Sequence, residues 1–433
     1  MSTAELDASA PSEALEPVAT SPDDSLLPAW PVLCLLWGMP LWWLVGLFNF
    51  NCVLLAPVML FYLVLKRDVW LAPGTLPFLS LVGWMALGIF VIEPGDLFGF
   101  VVKFAQYAAV GVLIVYVVNA PTLLTRDRIL AGLTALWAFI IAGGYLGLAL
   151  PYGHLTKTVG ILLPSSISSN PYAQQLLFPQ FAEVQTPFGA SAPFLRPSAP
   201  FYFANGWGAA MTLLIPVAVG AALHRGTTRA KILTVAGLGL CLPPAVAANN
   251  RGMFLALAVA VAVLFVRSFA QARFGMVLVI GVATAGAAYM MIRLGVVQSL
   301  TERADAGQST AGRTQLYIET IQRTLKSPIL GYGAPRDSYS SEITVGTQGA
   351  VWAAMFCSGF VGLALLLYFL VGVVIRTWPL TSESDVWLNA GLIATLAMSA
   401  YYGLEGMLVP LGILVAMMLR DRYLDPSRSA RAG

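Results

Sequence analysis

The chain has 433 residues, of which 58% are hydrophobic and only 10% charged, with a mean hydropathy of +0.78. Soluble domains carry about 25% charged residues, so this composition excludes an ordinary cytosolic enzyme, a disordered protein and a nucleic-acid binder. A net charge of +3 says little until the charges are placed; the composition is that of a polytopic membrane protein with room for about a dozen spans of roughly 20 residues.

Residues 1–26 hold Glu5, Asp7, Glu13, Glu16, Asp23 and Asp24 and no Lys or Arg. A secretory signal opens with a basic region, so this stretch reads as a disordered acidic cytoplasmic tail. Twelve apolar segments follow, at 30–47, 51–65, 75–92, 97–118, 129–150, 204–222, 231–248, 252–267, 275–292, 349–375, 386–402 and 405–419. They predict an all-α transmembrane bundle of about 12 helices over 27–425, with a short cytoplasmic tail at 426–433. The first pair is expected to meet in a tight turn around Asn49 and Asn51. The last two segments are short, and one is open to a re-entrant reading.

Basic residues set the orientation, because Lys and Arg concentrate in short cytoplasmic loops. Lys66, Arg67, Arg126, Arg128, Arg225, Arg229, Lys231, Arg267, Arg273 and Arg376 fall in every second connection, and Arg420, Arg422, Arg428 and Arg431 close the chain. Both termini are therefore expected in the cytoplasm. Two long outward loops remain, at 151–203 and 293–348, and long loops of this kind are usually functional. The second contains a predicted helix, Gly312–Lys326, with Tyr317, Ile321 and Leu325 as an apolar stripe. Glu319 and Arg323 form an i, i+4 pair on another face, and Arg323 and Lys326 read as solvated charges. Pro328 ends the helix, and Gly331-Tyr332-Gly333 makes a turn.

Cys34, Cys52, Cys241 and Cys357 show no CxxC spacing, and His154 and His224 stand far apart. Neither a disulfide framework nor a metal site is predicted, and no cofactor is expected. Walker A, HExxH, paired GxSxG and GxGxxG patterns are all missing from the chain. Four outward arginines are candidates to converge on a polyanion: Arg196, Arg251, Arg313 and Arg336. A guanidinium offers paired donors that match phosphate geometry and keeps its charge when partly buried, so a diphosphate at the membrane surface is the natural ligand. Snorkelling or lipid-headgroup contact is the plainer account of any one of them; Arg251 stands out because its loop is very short. Lys103 is an intramembrane ion with Glu405 as its expected partner, a pair equally suited to a structural role or to transport. Outward acids, Glu93, Asp96, Glu183, Glu302, Asp305, Asp337 and Glu342, are candidates for a general base.

These pieces together resemble the O-antigen ligase and O-antigen polymerase superfamily of bacterial membrane glycan transferases, over residues 190 to 375. Arg196-Pro197-Ser198-Ala199-Pro200-Phe201-Tyr202-Phe203-Ala204-Asn205 is similar to that family's Arg-x-x-Gly-x-Phe-x-Asn-Pro-Asn approach to a span. Asn250-Arg251-Gly252 is similar to its Ser-Arg-Gly. Arg313 to Pro328 with Gly331-Tyr332-Gly333 resembles its loop helix followed by Pro-Leu-x-Gly-x-Gly. Gln348-Gly349-Ala350-Val351-Trp352, with Gly359 and Gly362, takes the place of its His-Asn-x-x-Leu and following glycines.

The resemblance implies a metal-independent, inverting transfer of a glycan from a polyprenyl-diphosphate-linked oligosaccharide to a hydroxyl of an acceptor glycan or glycolipid. The reaction would run at the outer face of the bacterial cytoplasmic membrane. Arg196, Arg251, Arg313 and Arg336 are then expected to hold the diphosphate. Where the ligases carry histidine this chain has Gln348, which can hydrogen-bond but takes up no proton at neutral pH. Either Glu342 or Asp337 accepts the acceptor proton, or the arginines act mainly electrostatically; His154 is a further substitute. A transporter or flippase for a lipid-linked or anionic substrate, coupled through Lys103 and Glu405, is the rival reading, and a non-catalytic envelope-assembly scaffold the third. Membrane lipids are expected partners in each case.

Overall fold

A computed structural model describes residues 27–185, 194–293, 308–339 and 344–424. The tails, Glu302, Asp305 and Glu342 lie outside the described residues, and of Arg313 only the backbone is described. The chain begins with α1 (Trp30–Trp37), α2 (Met39–Leu44), α3 (Asn51–Lys66), α4 (Leu76–Ala86), α5 (Leu97–Val118) and α6 (Arg126–Ala149). Two short helices, α7 (Ser165–Ser168) and α8 (Pro171–Leu177), and a hairpin, β1 (Ala182–Gln185) with β2 (Phe194–Pro197), follow. Then come α9 (Ala204–Arg225), α10 (Thr228–Ala248), α11 (Arg251–Ala270), α12 (Phe274–Arg293), α13 (Gln308–Thr324), α14 (Ala350–Thr377), α15 (Glu383–Met398) and α16 (Leu408–Leu424).

Among the described residues, six helices are long and apolar enough to cross a membrane: α5 with the turn before it, α6, α9, α10, α11 and α14. The protein is a helical, multi-pass membrane protein. Its other apolar segments are shorter or interrupted. The first, expected as one span over 30–47, is two short helices meeting at Gly38, with Pro40 in the opening turn of α2. A proline there has no N–H to lose and its fixed φ suits a helix start. The expected turn around Asn49 and Asn51 spans residues 45–50, and Asn51 is buried as the first residue of α3. The final segment enters through a 3-10 turn, Glu405–Met407, before α16.

Helix α9 occupies the centre, buried along most of its length and packed on α6, α10, α11 and α15. Trp207 is fully buried there and donates to Ile140 O at 3.0 Å. Helices α10 and α12 turn apolar side chains outward, among them Ile232, Leu233, Val235, Leu278, Val279 and Val282. Such continuous apolar exposure is tolerated in lipid and would be an aggregation hazard in water.

The two ends of the bundle differ. At the basic end, the cations that set the orientation do structural work. Arg126 is buried and bonds Asp385 at 2.7 Å, Asp421 at 2.6 Å and Ser384 at 2.9 Å. Arg267 reaches Asn389, Trp378 O and Leu380 O, Arg420 reaches Leu124 O, and Lys66 reaches Asn119 O. The other end carries both long loops. The 151–203 stretch, expected as loop, holds α7, α8 and the hairpin, with Glu183 paired to Arg196 in antiparallel register.

Helix α13 begins and ends earlier than predicted, and of its apolar stripe only Tyr317 is half-buried, against Trp352. Ile321 and Leu325 are exposed, whereas Leu316, Glu319, Thr320, Arg323 and Thr324 are buried. Arg323 is 6% exposed and is not a solvated charge. The reason is the chain that follows, which folds back over that face. Arg323 donates to Asp337 O at 2.8 Å and to Glu319 at 3.1 Å, and lies against the rings of Tyr339, Phe356 and Tyr332. Only Lys326 fits the solvated reading, being exposed past the helix end.

Candidate functional site

The start of α9, the α10–α11 turn and the start of α14 meet at the loop end of the bundle. Arg196 on β2 is buried and engaged on three sides. Its Nε donates to Ala248 O at 2.8 Å, an Nη to Asn205 Oδ1 at 3.1 Å, and its other Nη lies 3.5 Å from Glu183 Oε2. Glu183 also accepts the Ala204 backbone N–H at 3.0 Å. Arg196 thus ties the hairpin to the end of α10 and the start of α9.

Asn249 and Asn250 alone separate α10 from α11. Asn249 takes a left-handed backbone, φ 45°, a conformation asparagine tolerates because its short amide bonds locally. Asn250 caps α11 by accepting from Met253 N, donates to Ala204 O and accepts from the Tyr402 hydroxyl at 2.7 Å. Gly252 lies against the rings of Tyr401 and Tyr402, where any Cβ would collide, and Tyr401 donates to Gly252 O at 2.9 Å. Arg251 is therefore held at a helix start between two fixed neighbours. It is half-buried, and its Nη2 is buried with no hydrogen-bond partner. A buried charged donor without an acceptor costs about 1–3 kcal/mol or more.

The start of α14 docks on the same tyrosines. Ala350 N donates to Tyr402 O, Val351 N to Ser399 O, and the Trp352 indole to Ala400 O. Tyr317 of α13 stacks on Trp352 with ring centres 4.2 Å apart. Gln348 lies just before this helix, but its amide is used within its own turn. It accepts from Gly346 N and Thr347 N and donates to Thr344 O at 2.7 Å.

The Pro328–Gly333 segment explains the rest of the loop geometry. Helix α14 breaks at Gly359, φ 69°. The break frees carbonyls that the helix would otherwise satisfy. Phe356 O accepts from Tyr332 N, Cys357 O from Gly333 N, and Ser358 O from the Trp84 indole, while Phe360 N donates to Pro328 O. Gly331 and Gly333 have φ of 67° and 76°, which lets the turn press against this backbone. The segment is a plug in a broken helix, and it sets where Arg336 stands.

Arg336 pairs with Glu93 at 2.9 Å and covers the Tyr332 ring at 4.5 Å, with its Nε buried and unbonded. A backbone bridge between Arg336 and Val345 closes the loop. Asp337 is exposed beside it. Glu319 supports the same loop. Burial would raise its carboxyl, but donation from Ser338 Oγ, Tyr339 N and Arg323 outweighs that and holds it below the ordinary carboxylate value.

Lys103 and Glu405 form an ion pair at 2.9 Å, three residues along the chain from Tyr402. One small cavity, about 30 Å³, is lined by Glu405, Asn49, Asn51 and Gln106, and another of about 30 Å³ by Lys103, Tyr107, Cys357 and Gly333. Among the described residues no three His, Cys, Asp or Glu side chains gather as a metal site.

Residues 236–354 match the model of the O-antigen ligase family. The match supports a likeness to the O-antigen ligase and polymerase superfamily and suggests O-antigen ligase-like glycan transfer in general. It runs from within α10 through the first turns of α14, and so includes Arg251, Arg313, Arg336, Asp337, Glu342 and Gln348. Arg196, Lys103 and Glu405 lie outside the ligase-family segment. No curated protein matches the chain.

The fold brings Arg196 and Arg251 to one junction through Ala248 and Asn250, and links Gln348 to it through the Ala350–Tyr402 bond. Arg336 stands on the other side of the α14 start, with Glu93. Tyr401 and Tyr402 carry this junction and were missed in the sequence. Their signal is a Tyr-Tyr pair closing an apolar segment, as aromatic residues do at membrane interfaces.

Proposed function

We propose that the protein transfers a glycan from a polyprenyl-diphosphate donor to a hydroxyl of an acceptor glycan or glycolipid. It needs no metal and inverts the anomeric centre. The observation that carries this reading is Arg251, fixed at the start of α11 with a buried guanidinium nitrogen that bonds nothing in the protein. Arg251 holds the donor diphosphate, Arg336 offers a second guanidinium across the α14 start, and Arg313 is the third arginine proposed for the anion. Arg196 positions Arg251 and contacts the anion only through whatever its three protein bonds leave free.

The acceptor oxygen attacks the anomeric carbon from the face opposite the diphosphate. The carbon–oxygen bond to the diphosphate breaks, its electron pair stays on the diphosphate, and the arginines stabilise the charge that develops there. The acceptor proton goes to a carboxylate of the 337–342 loop, Asp337 or Glu342. Gln348 does not take it; its amide shapes the Thr344–Gln348 turn that carries this loop to α14. The active face is the extracytoplasmic end of a twelve-span bundle in the bacterial cytoplasmic membrane, both termini lying inside.

The test uses purified protein, a polyprenyl-diphosphate oligosaccharide and an acceptor, with release of polyprenyl diphosphate as the readout. Release is expected to survive EDTA, to fall at least a hundredfold in Arg251→Ala, and to fall at least tenfold in Arg251→Lys, which lacks the paired donors. Full release from correctly inserted Arg251→Ala sinks the reading. The Lys103–Glu405 pair between two cavities favours a second reading, flipping of the lipid-linked substrate. Donor that crosses liposomes unchanged, in a Lys103-dependent way, would support it.

A further inference from the structure

The cleft formed by the first long loop is separate from the arginine junction and has a different chemistry. Its volume is about 680 Å³, within the range of ligand sites. Tyr152, His154, Gln174, Gln175, Phe178 and Tyr202 are the side chains that give it character. Among the described residues that line it, none is an Asp, Glu, Lys or Arg.

We propose that this cleft binds a neutral stretch of glycan, and that it is the acceptor subsite; the second part rests on the transfer reading above. A sugar ring has an apolar C–H face and a rim of hydroxyls that each donate and accept. Flat rings cover the face, and side-chain amides, which carry both a donor and an acceptor, suit the rim. Tyr152 is 70% exposed, so its ring can be stacked on, and the half-buried Gln175 lines the cleft. A diphosphate finds no cation here, and an acidic sugar finds no partner.

The hairpin links the cleft to the arginines. Side chains alternate across a strand. Ala182 and Val184 of β1 line the cleft, while Glu183 between them turns the other way to Arg196 and the start of α9. Tyr202, at the cleft wall, accepts from Gln180 through its carbonyl and stands two residues before α9. One thin wall thus has a sugar-suited surface outside and the anion-binding junction behind it. A glycan lying in the cleft would be steered past the hairpin end toward the junction.

The experiment is saturation-transfer NMR on the full-length protein in nanodiscs, without donor. The probes are neutral pentasaccharides of glucose, mannose, galactose and N-acetylglucosamine, with a pentagalacturonate and a neutral pentapeptide as controls. At least one neutral pentasaccharide is expected to bind. Its affinity should fall roughly tenfold in Tyr152→Ala and in Gln175→Ala, and recover in Tyr152→Phe. Both residues are at the surface of the cleft, so the fold should survive, and an unchanged melting curve checks that. Binding of no neutral pentasaccharide, binding that both alanine variants leave unchanged, or stronger binding of either control overturns the proposal. In the transfer assay the same two variants should raise the acceptor KM and leave the donor KM unchanged. Saccharide binding without release of polyprenyl diphosphate would defeat the transfer reading while leaving the cleft as a glycan site.

Discussion

Arg251 and Arg323 are the same residue type in opposite circumstances. Arg323 has an acceptor for its donors and three rings around its plane. Arg251 keeps a buried nitrogen without an acceptor. Truncating the first should therefore cost stability, and truncating the second should cost activity. Glu319 is the partner that makes Arg323 tolerable. Because its folded carboxyl is held below the ordinary value of 4.5, its contribution is present above that pH and is lost as pH falls through the lower, folded value. Protection of the Tyr339 amide against exchange, corrected for intrinsic rate, should drop on acidification. In Glu319→Gln it should be weaker at neutral pH and lose that dependence. An unchanged pH profile in the variant would show that Glu319 does not hold the loop.

At the scale of elements, the break in α14 organises the loop end. A helix interrupted at Gly359 exposes carbonyls, and the Pro328–Gly333 plug and Trp84 answer them. Each part supplies hydrogen-bond partners to the other, which is a physical reason for the Pro-x-x-Gly-x-Gly pattern that the sequence displays. Gly359→Ala puts a side chain at φ 69° and against the carbonyls of Pro328 and Ile329. Left-handed strain alone costs about 1–3 kcal/mol, and the collision adds to it. A lower melting temperature in detergent and easier proteolysis within 328–345 are expected. A melting curve like that of the unmodified protein would mean the plug adapts.

At the scale of the whole molecule, the two ends of the bundle are built on different terms. The basic end is closed by paired ions: Arg126 with Asp385 and Asp421 joins three helices far apart in sequence. Removing one member of a buried pair costs about 3–5 kcal/mol, because the remaining charge is left without compensation. Arg126→Ala should therefore lower the yield of folded protein. Double replacement by apolar residues of similar size should restore much of it, measured by monodispersity in detergent. Buried guanidinium nitrogens without a partner occur at both ends, Arg126 Nε at the basic end and Arg251 Nη2 and Arg336 Nε at the loop end, but only at the basic end is the guanidinium also held by two carboxylates.

Hydropathy is a sum over a window of neighbours, so the twelve apolar segments could be read directly, and each coincides with a helix or a pair of short ones. The same local information located the Asn250-Arg251-Gly252 turn, since two apolar runs leave it nowhere else to go, and the glycines that need positive φ after Pro328. What local information lacks is the partner of a polar group. The apolar stripe on α13 pointed its buried face the wrong way, because the cover comes from Tyr332, Asp337 and Tyr339, which reach back over the helix. Glu183 was one acid among seven until the hairpin register set it against Arg196, and Gln348 was a free amide until its turn closed around it. Segment and motif are properties of adjacent residues, and the sequence by itself determined them. Which charge is paired, and which keeps a donor without a partner, depends on distances between residues remote along the chain, and only the tertiary structure decided it.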